Sequence, residues 1–104
     1  MILTIGLTET DRAADYVPAM DGFRAGAAQR LWTFYVPANV DAVKAAEAVF
    51  VATNAPIEVI RENSLALTVY LALQGYEDRA LSVGDTVTVN GERVACDRVG
   101  WIAA

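Results

Sequence analysis

The chain has 104 residues, of which 55% are hydrophobic, so it can bury one core but is too short for two. It has no histidine and a single cysteine, Cys96, which excludes an intramolecular disulfide, Ser-His-Asp or Cys-His catalysis and a zinc site of ordinary composition. The net charge of −5 repels phosphate backbones and anionic lipids. We therefore expect one domain over residues 1–104 without enzymatic activity, cofactor or metal.

The sequence also indicates where in the cell the protein is located. No apolar run reaches the ~18 residues that span a bilayer, and the first residues lack the basic and apolar regions of a signal peptide. A lone cysteine fits a reducing compartment. A cytoplasmic location without membrane contact is the expectation.

The first part of the chain is predicted to contain one strand and one long loop. Met1–Leu7 is apolar and β-branched, which indicates a buried strand. Residues 8–26 carry acids and arginines among small residues, with Pro18 and Gly22 as breakers. They indicate a loop with one short helical turn over Asp11–Tyr16. Such a long loop is either a contact surface or a disordered connection.

Leu31–Val36 (LWTFYV) is the most aromatic segment and ends at Pro37. Alternation gives both faces of the segment large side chains, so we predict a central strand. Trp32 and Tyr35 would also suit a stacking platform for a base or a sugar. Core packing is the favoured interpretation, since Arg30 is the only basic residue nearby.

Asn39–Thr53 is the clearest helix. Asn39 or Asp41 can cap its first turn, and several alanines supply helix propensity. We expect Asn54 to adopt the left-handed terminating conformation, and Pro56 prevents continuation. The stripe predicted to face the core comprises Val43, Ala46, Val49, Phe50 and Thr53.

Two further segments follow this helix. The alternation in Ile57–Ile60 predicts a short strand. Ser64 has the character of an N-cap, so Leu65–Gln74 is predicted to be a second helix ended by Gly75. A strand remains open for the latter segment, because its leucines also alternate with smaller residues.

The C-terminal part predicts a β-hairpin. Val87 and Val89 alternate with threonines before Asn90-Gly91, and Val94 and Cys96 alternate after it. An Asn-Gly pair can take positive φ at both central positions of a type I′ turn. We therefore place the three valines and Cys96 on the covered face, where a thiol behaves as a small hydrophobe.

Together these segments predict an α+β fold. We expect a single small domain with a mixed, mainly antiparallel sheet of four to five strands, covered by two helices and ending in the C-terminal hairpin. The larger side chains assigned to the core are Leu31, Trp32, Phe34, Tyr35, Val49, Phe50, Leu65, Leu67, Tyr70, Leu71, Leu73 and Trp101.

Acidic side chains supply the candidate sites. Glu77, Asp78 and Asp85 flank the hairpin entry, but hydrolytic or metal chemistry there would need a cleft, and no Asp-x-Asp-x-Asp-Gly loop is present. Solvated turn charges are the simpler interpretation. The candidate interaction surface comprises Asp11, Asp15, Asp21, Glu77, Asp78 and Asp85.

The C-terminal pattern LSVGD, alternating strand, turn, second strand with Cys96, and Val-Gly-Trp resembles a group of small phage- and plasmid-encoded proteins of GC-rich bacteria. In that group the hairpin follows an Ala-rich helix that ends near a Thr-Asn pair, here Thr53-Asn54. The resemblance covers roughly residues 41–101. It implies a mobile-element accessory protein of undefined activity and assigns no functional residue.

Three functions remain open. The first is a small acidic protein-interaction module, such as an accessory protein or inhibitor that binds a host protein. The second is a nucleic-acid-binding regulator that uses Arg79, Arg93 and Arg98, although the net charge argues against a nucleic-acid partner. The third is a small-ligand domain using Tyr35, Tyr70 or the turn carboxylates. Exposed apolar area would also support a homodimer.

Overall fold

The computed structural model describes residues 1–104 and has nine elements around one antiparallel sheet with strand order β2-β1-β3-β4-β5. The predicted α+β class and single sheet are confirmed, although every strand pair is antiparallel. No helix is long and apolar enough to cross a bilayer. The elements are β1 (Ile2–Thr8), α1 (Pro18–Asp21), β2 (Gln29–Tyr35), α2 (Ala42–Asn54), α3 (Ile57–Arg61), α4 (Ser64–Ala72), β3 (Thr86–Val89), β4 (Glu92–Cys96) and β5 (Trp101–Ala103).

The predicted hairpin is confirmed in β3 and β4. Asn90 and Gly91 have φ angles of 53° and 78°, which the type I′ turn requires. Val87 lies directly opposite Val94, and both are buried. Cys96 is also buried, as alternation predicts. A third strand, β5, pairs with the outer side of β4.

The core lies between the sheet and helices α2 and α4. Small residues of α2 pack against β3 and β4, and the leucines and isoleucine of β1 fill the centre of the sheet. The predicted stripe of α2 is therefore wrong in part, because Val43 and Phe50 are exposed while alanines face the sheet. The small side chains allow a closer approach than valine or phenylalanine would. The buried residues of α2 are Ala42, Ala45, Ala46, Ala48, Val49 and Ala52.

Three local predictions at the end of α2 and beyond it need correction. Ile57–Ile60 is helical rather than extended, because only Ile60 turns toward the core and Pro56 starts a helical turn. The second predicted helix is confirmed as α4, but its cap is Asn63, whose side chain accepts from the Ala66 N–H at 3.0 Å. Asn54 is the last residue of α2 and is not left-handed; its side-chain amide instead donates to the Leu81 carbonyl at 2.9 Å.

Strand β2 is at an edge of the sheet, so the predicted central strand is wrong. Leu31 is 66% exposed, Tyr35 59% and Trp32 38%. Large side chains on both faces did not imply burial, because the helices cover the middle of the sheet and no sixth strand follows β2. Several residues assigned to the core from their size are at the surface, namely Leu31, Trp32, Tyr35, Phe50, Tyr70 and Leu71.

The segment between β1 and β2 is an ordered covering for part of the other sheet face. Asp11 and Tyr16 exchange two main-chain hydrogen bonds of 2.9 Å around a reversal, in place of the predicted helical turn. The helical turn lies later, in α1, which Pro18 begins. Tyr16 is buried, and Phe23 lies 5.2 Å from the guanidinium of Arg93 on β4. The half of this face nearest β2 stays uncovered.

Gly84 provides a test of how α1 docks beside the hairpin. Its φ is 89°, and a Cβ there would lie 2.7 Å from the Pro18 Cβ, whereas Gly91 has a similar φ and open space around it. We expect Gly91→Ala to cost about 1–2 kcal/mol of unfolding free energy from backbone strain alone. Gly84→Ala should cost about 1–3 kcal/mol more because of the added clash. Urea unfolding measures both, and equal losses would contradict the docking of Pro18.

Candidate protein-binding edge of the sheet

Asp85, one of the predicted surface acids, is instead a buried structural group with 0% exposure. Its Oδ1 accepts from the Thr8 N–H and from Arg79 Nη2, each at 2.8 Å. Its Oδ2 accepts from the Ser82 N–H at 2.8 Å and from Arg79 Nη1 at 2.5 Å. The carboxylate is therefore fully used inside the fold and cannot contact a partner.

The three arginines of the predicted basic stripe are engaged in separate contacts. Arg79 holds Asp85 and also donates to the Thr8 carbonyl at 3.1 Å. Arg93 lies over the ring of Phe23, and Arg98 donates to the Met20 carbonyl. The structure therefore gives Arg79 a role inside the fold rather than on a phosphate-binding face.

The remaining acids of the candidate surface are in two regions. Asp11, Asp15 and Asp21 lie in the segment between β1 and β2, where Asp21 accepts from the Val17 N–H at 2.8 Å. Glu77 and Asp78 are exposed in the turn before the hairpin. No three acidic or cysteine side chains come close enough together to hold a metal ion.

Asp78 connects this turn to β2. The guanidinium of Arg30 donates to both Asp78 carboxylate oxygens, at 2.8 and 2.9 Å, and to Glu9 at 3.2 Å. The hydrogen bonds from Arg30 lower the pKa of Asp78 to about 2. Arg30, the only charged side chain of β2, is therefore paired with carboxylates of the same molecule.

Two clefts are each lined in part by α2. One, of about 480 Å³, is lined by Phe50, Trp101 and Cys96, and burial raises the pKa of the Cys96 thiol. The other, of about 310 Å³, is lined by Tyr70 and Tyr76. Of the tyrosines predicted for a ligand site, Tyr70 reaches a cleft and Tyr35 does not. The Tyr70 cleft is also lined by the polar side chains of Thr53, Gln74 and Asp78, so it brings Tyr70 together with one of the predicted turn carboxylates.

The main chain of β2 presents unpaired hydrogen-bonding groups along its outer side. Met1 and Val36 exchange hydrogen bonds of 2.7 and 2.9 Å, and the Glu9 N–H donates to the Ala28 carbonyl at 2.9 Å. Because antiparallel pairs alternate, the even-numbered residues of β2 bond to β1. The N–H and C=O groups of Gln29, Leu31, Thr33 and Tyr35 therefore point outward, away from the sheet.

The side chains of β2 frame this free main chain. Leu31 and Tyr35 project on the uncovered sheet face, with Thr33 between them, bonded to Thr4 at 2.9 Å. Trp32 and Phe34 project on the helix side, and the Trp32 ring meets the Tyr76 ring edge-on at 5.3 Å. An extended segment laid along β2 would gain main-chain hydrogen bonds and apolar contacts on both faces.

We expect Asp85→Asn to destabilise the fold strongly, by about 3 kcal/mol. The substitution leaves the Arg79 charge unpaired, and the side-chain NH2 group of asparagine would face N–H donors that now bond to a carboxylate oxygen. Asp78→Asn is the matched control, since its ion pair with Arg30 is exposed. Its loss should be clearly smaller. Chemical unfolding of both variants measures the difference. Similar losses would contradict the structural role assigned to the Asp85 carboxylate.

A scan against protein-family models finds no matching family, and searches of curated proteins and of solved structures find no significant match to this chain. The resemblance to phage and plasmid proteins therefore stays a prediction. The candidate site therefore rests on the chain's own geometry, in which the outer side of the seven-residue strand β2 combines free main-chain groups with large exposed side chains.

Proposed function

We propose that this chain is a non-enzymatic protein-interaction module that binds an extended segment of another protein along β2. The observation that carries the proposal is the free outer side of this seven-residue edge strand, with its outward N–H and C=O groups and its exposed apolar side chains. Strand addition obtains affinity from main-chain hydrogen bonds and specificity from alternate side chains. Both components are present at this edge.

The lack of edge protection supports this proposal. Proteins usually block a sheet edge with a charged side chain, a proline, a bulge or a very short strand. Strand β2 has none of these within Gln29–Tyr35 except Arg30, whose charge is paired with Asp78 and Glu9. The opposite edge shows the usual pattern, because β5 has only three residues. An unprotected long edge in the same sheet as a protected one is consistent with use of that edge.

The net charge of the chain restricts the kind of partner that we expect. A net charge of −5 favours a partner with a basic surface around the docking segment, because opposite potentials accelerate encounter. The resemblance to mobile-element proteins makes a host factor the first partner to seek. The nucleic-acid alternative has less support, since the buried carboxylate of Asp85 neutralises the charge of Arg79.

Leu31→Lys should abolish partner binding, because it places a charge beside the outward main chain without removing any hydrogen bond of the fold. Leu71→Lys on α4 is the matched control, since Leu71 is 57% exposed and lies on a different surface. Affinity capture from host lysate with the wild type and both variants, followed by mass spectrometry, measures the effect. A specific protein should be retained by the wild type and by the control alone.

Two results would contradict the proposal. If the Leu31→Lys variant retains the same protein as the wild type, binding does not use the edge. If no protein is retained by any of the three, the host-factor proposal fails.

A further inference from the structure

We propose that the outer side of β2 pairs with β2 of a second copy of this chain. The pairing is antiparallel about a two-fold axis perpendicular to the sheet, and it joins two five-stranded sheets into one with the helices of both copies on the same side. This inference rests on the free edge of the proposed function, and it gives that edge a second occupant, distinct from the basic segment of a host protein.

The outward main-chain groups of β2 determine which residues of the two copies can lie opposite each other. An antiparallel two-fold pair places one residue directly opposite itself, and the outward groups belong to Gln29, Leu31, Thr33 and Tyr35. With Thr33 opposite Thr33, Leu31 lies opposite Tyr35 of the second copy. All three positions then exchange N–H and C=O bonds, which gives about six new main-chain hydrogen bonds.

The side chains fit the same register. With the two-fold axis at Thr33, residues 31–35 of one copy pair with residues 31–35 of the second copy. Each exposed apolar side chain therefore lies opposite another apolar side chain. Trp32 lies opposite Phe34 of the second copy on the helix side, and Leu31 lies opposite Tyr35 on the other face. Aromatic and aliphatic pairs of this kind are the favourable cross-strand neighbours. No charged side chain falls within the paired segment.

The area available sets the strength of the dimer. A large side chain offers ~200 Å² when fully exposed, so the exposed fractions of Leu31, Trp32 and Tyr35, at 66%, 38% and 59%, leave about 330 Å² for each copy. Main-chain atoms and the threonine add to this. The side chains of both copies together supply about 660 Å², which is below the ~1,200 Å² of a stable interface and places this one among weak, transient interfaces. We therefore expect a reversible dimer with a dissociation constant of about micromolar order.

Sedimentation velocity over about 1–500 µM protein, which brackets a micromolar dissociation constant, tests the association. The wild type should pass from the 11.1 kDa species to one of twice that mass. Leu31→Lys should weaken association at least tenfold, and Leu71→Lys should leave it unchanged. Circular dichroism confirms that each variant is folded. A wild type that remains monomeric throughout, or a Leu31→Lys variant that dimerises like the control, overturns the inference.

Disulfide cross-linking tests the register. In a Cys96→Ala background, Thr33→Cys should cross-link readily on mild oxidation, because opposing Cα atoms in a hydrogen-bonded pair are ~5.5 Å apart, within disulfide range. Leu31 is exposed as well, but Leu31→Cys should not cross-link, since its two copies are four positions out of register, about 13 Å apart. Equal cross-linking of both variants overturns the register centred on Thr33.

The two proposals fail separately. A monomeric wild type that still captures a host protein through Leu31 overturns self-pairing and leaves the proposed function intact. A dimer with the expected cross-link supports self-pairing, and if no host protein is then captured, the edge serves assembly of this chain alone.

Discussion

The buried carboxylate of Asp85 is the interaction on which the rest of the molecule depends. It accepts four hydrogen bonds, two from main-chain N–H groups and two from Arg79, and so ties the end of β1 to the turn that starts the hairpin. Asp78, which directly precedes Arg79 in the chain, accepts two hydrogen bonds from Arg30 at the start of β2. Two successive residues, Asp78 and Arg79, thus connect the interior of the fold to the edge strand, and every buried polar side-chain atom is satisfied.

Features set by short-range chemistry were predictable from the sequence. The Asn90-Gly91 turn is recognisable because few other pairs accept two positive φ angles in a row. Helix α2 is recognisable from its alanines and from Asp41, which does accept from the Lys44 N–H at 2.9 Å. The strand predicted for Ile57–Ile60 is wrong because four residues are too few to separate the strand periodicity from the helix periodicity. The cap of α4 is ambiguous in the sequence because Asn63 and Ser64 are adjacent and both are favourable N-cap residues.

The candidate site was not predictable, because its two defining facts are non-local. Nothing within Leu31–Val36 states that no strand follows β2, so an aromatic segment that looked central became an edge. Likewise, Asp85 resembles any turn acid until Arg79 and Thr8 are brought to it from elsewhere in the chain.

The alanine-lined contact of α2 has a consequence for how this chain can change over evolutionary time. A helix seated on alanines leaves no spare volume beneath it, so an added methyl group there would lift the helix from the sheet. Variation should therefore accumulate at outward positions such as Val43 and Lys44, while the interior of the helix stays small. Larger side chains in this contact would have to be accompanied by a movement of the whole helix α2 away from the sheet. That movement would also change the contact between the Phe50 and Trp101 rings.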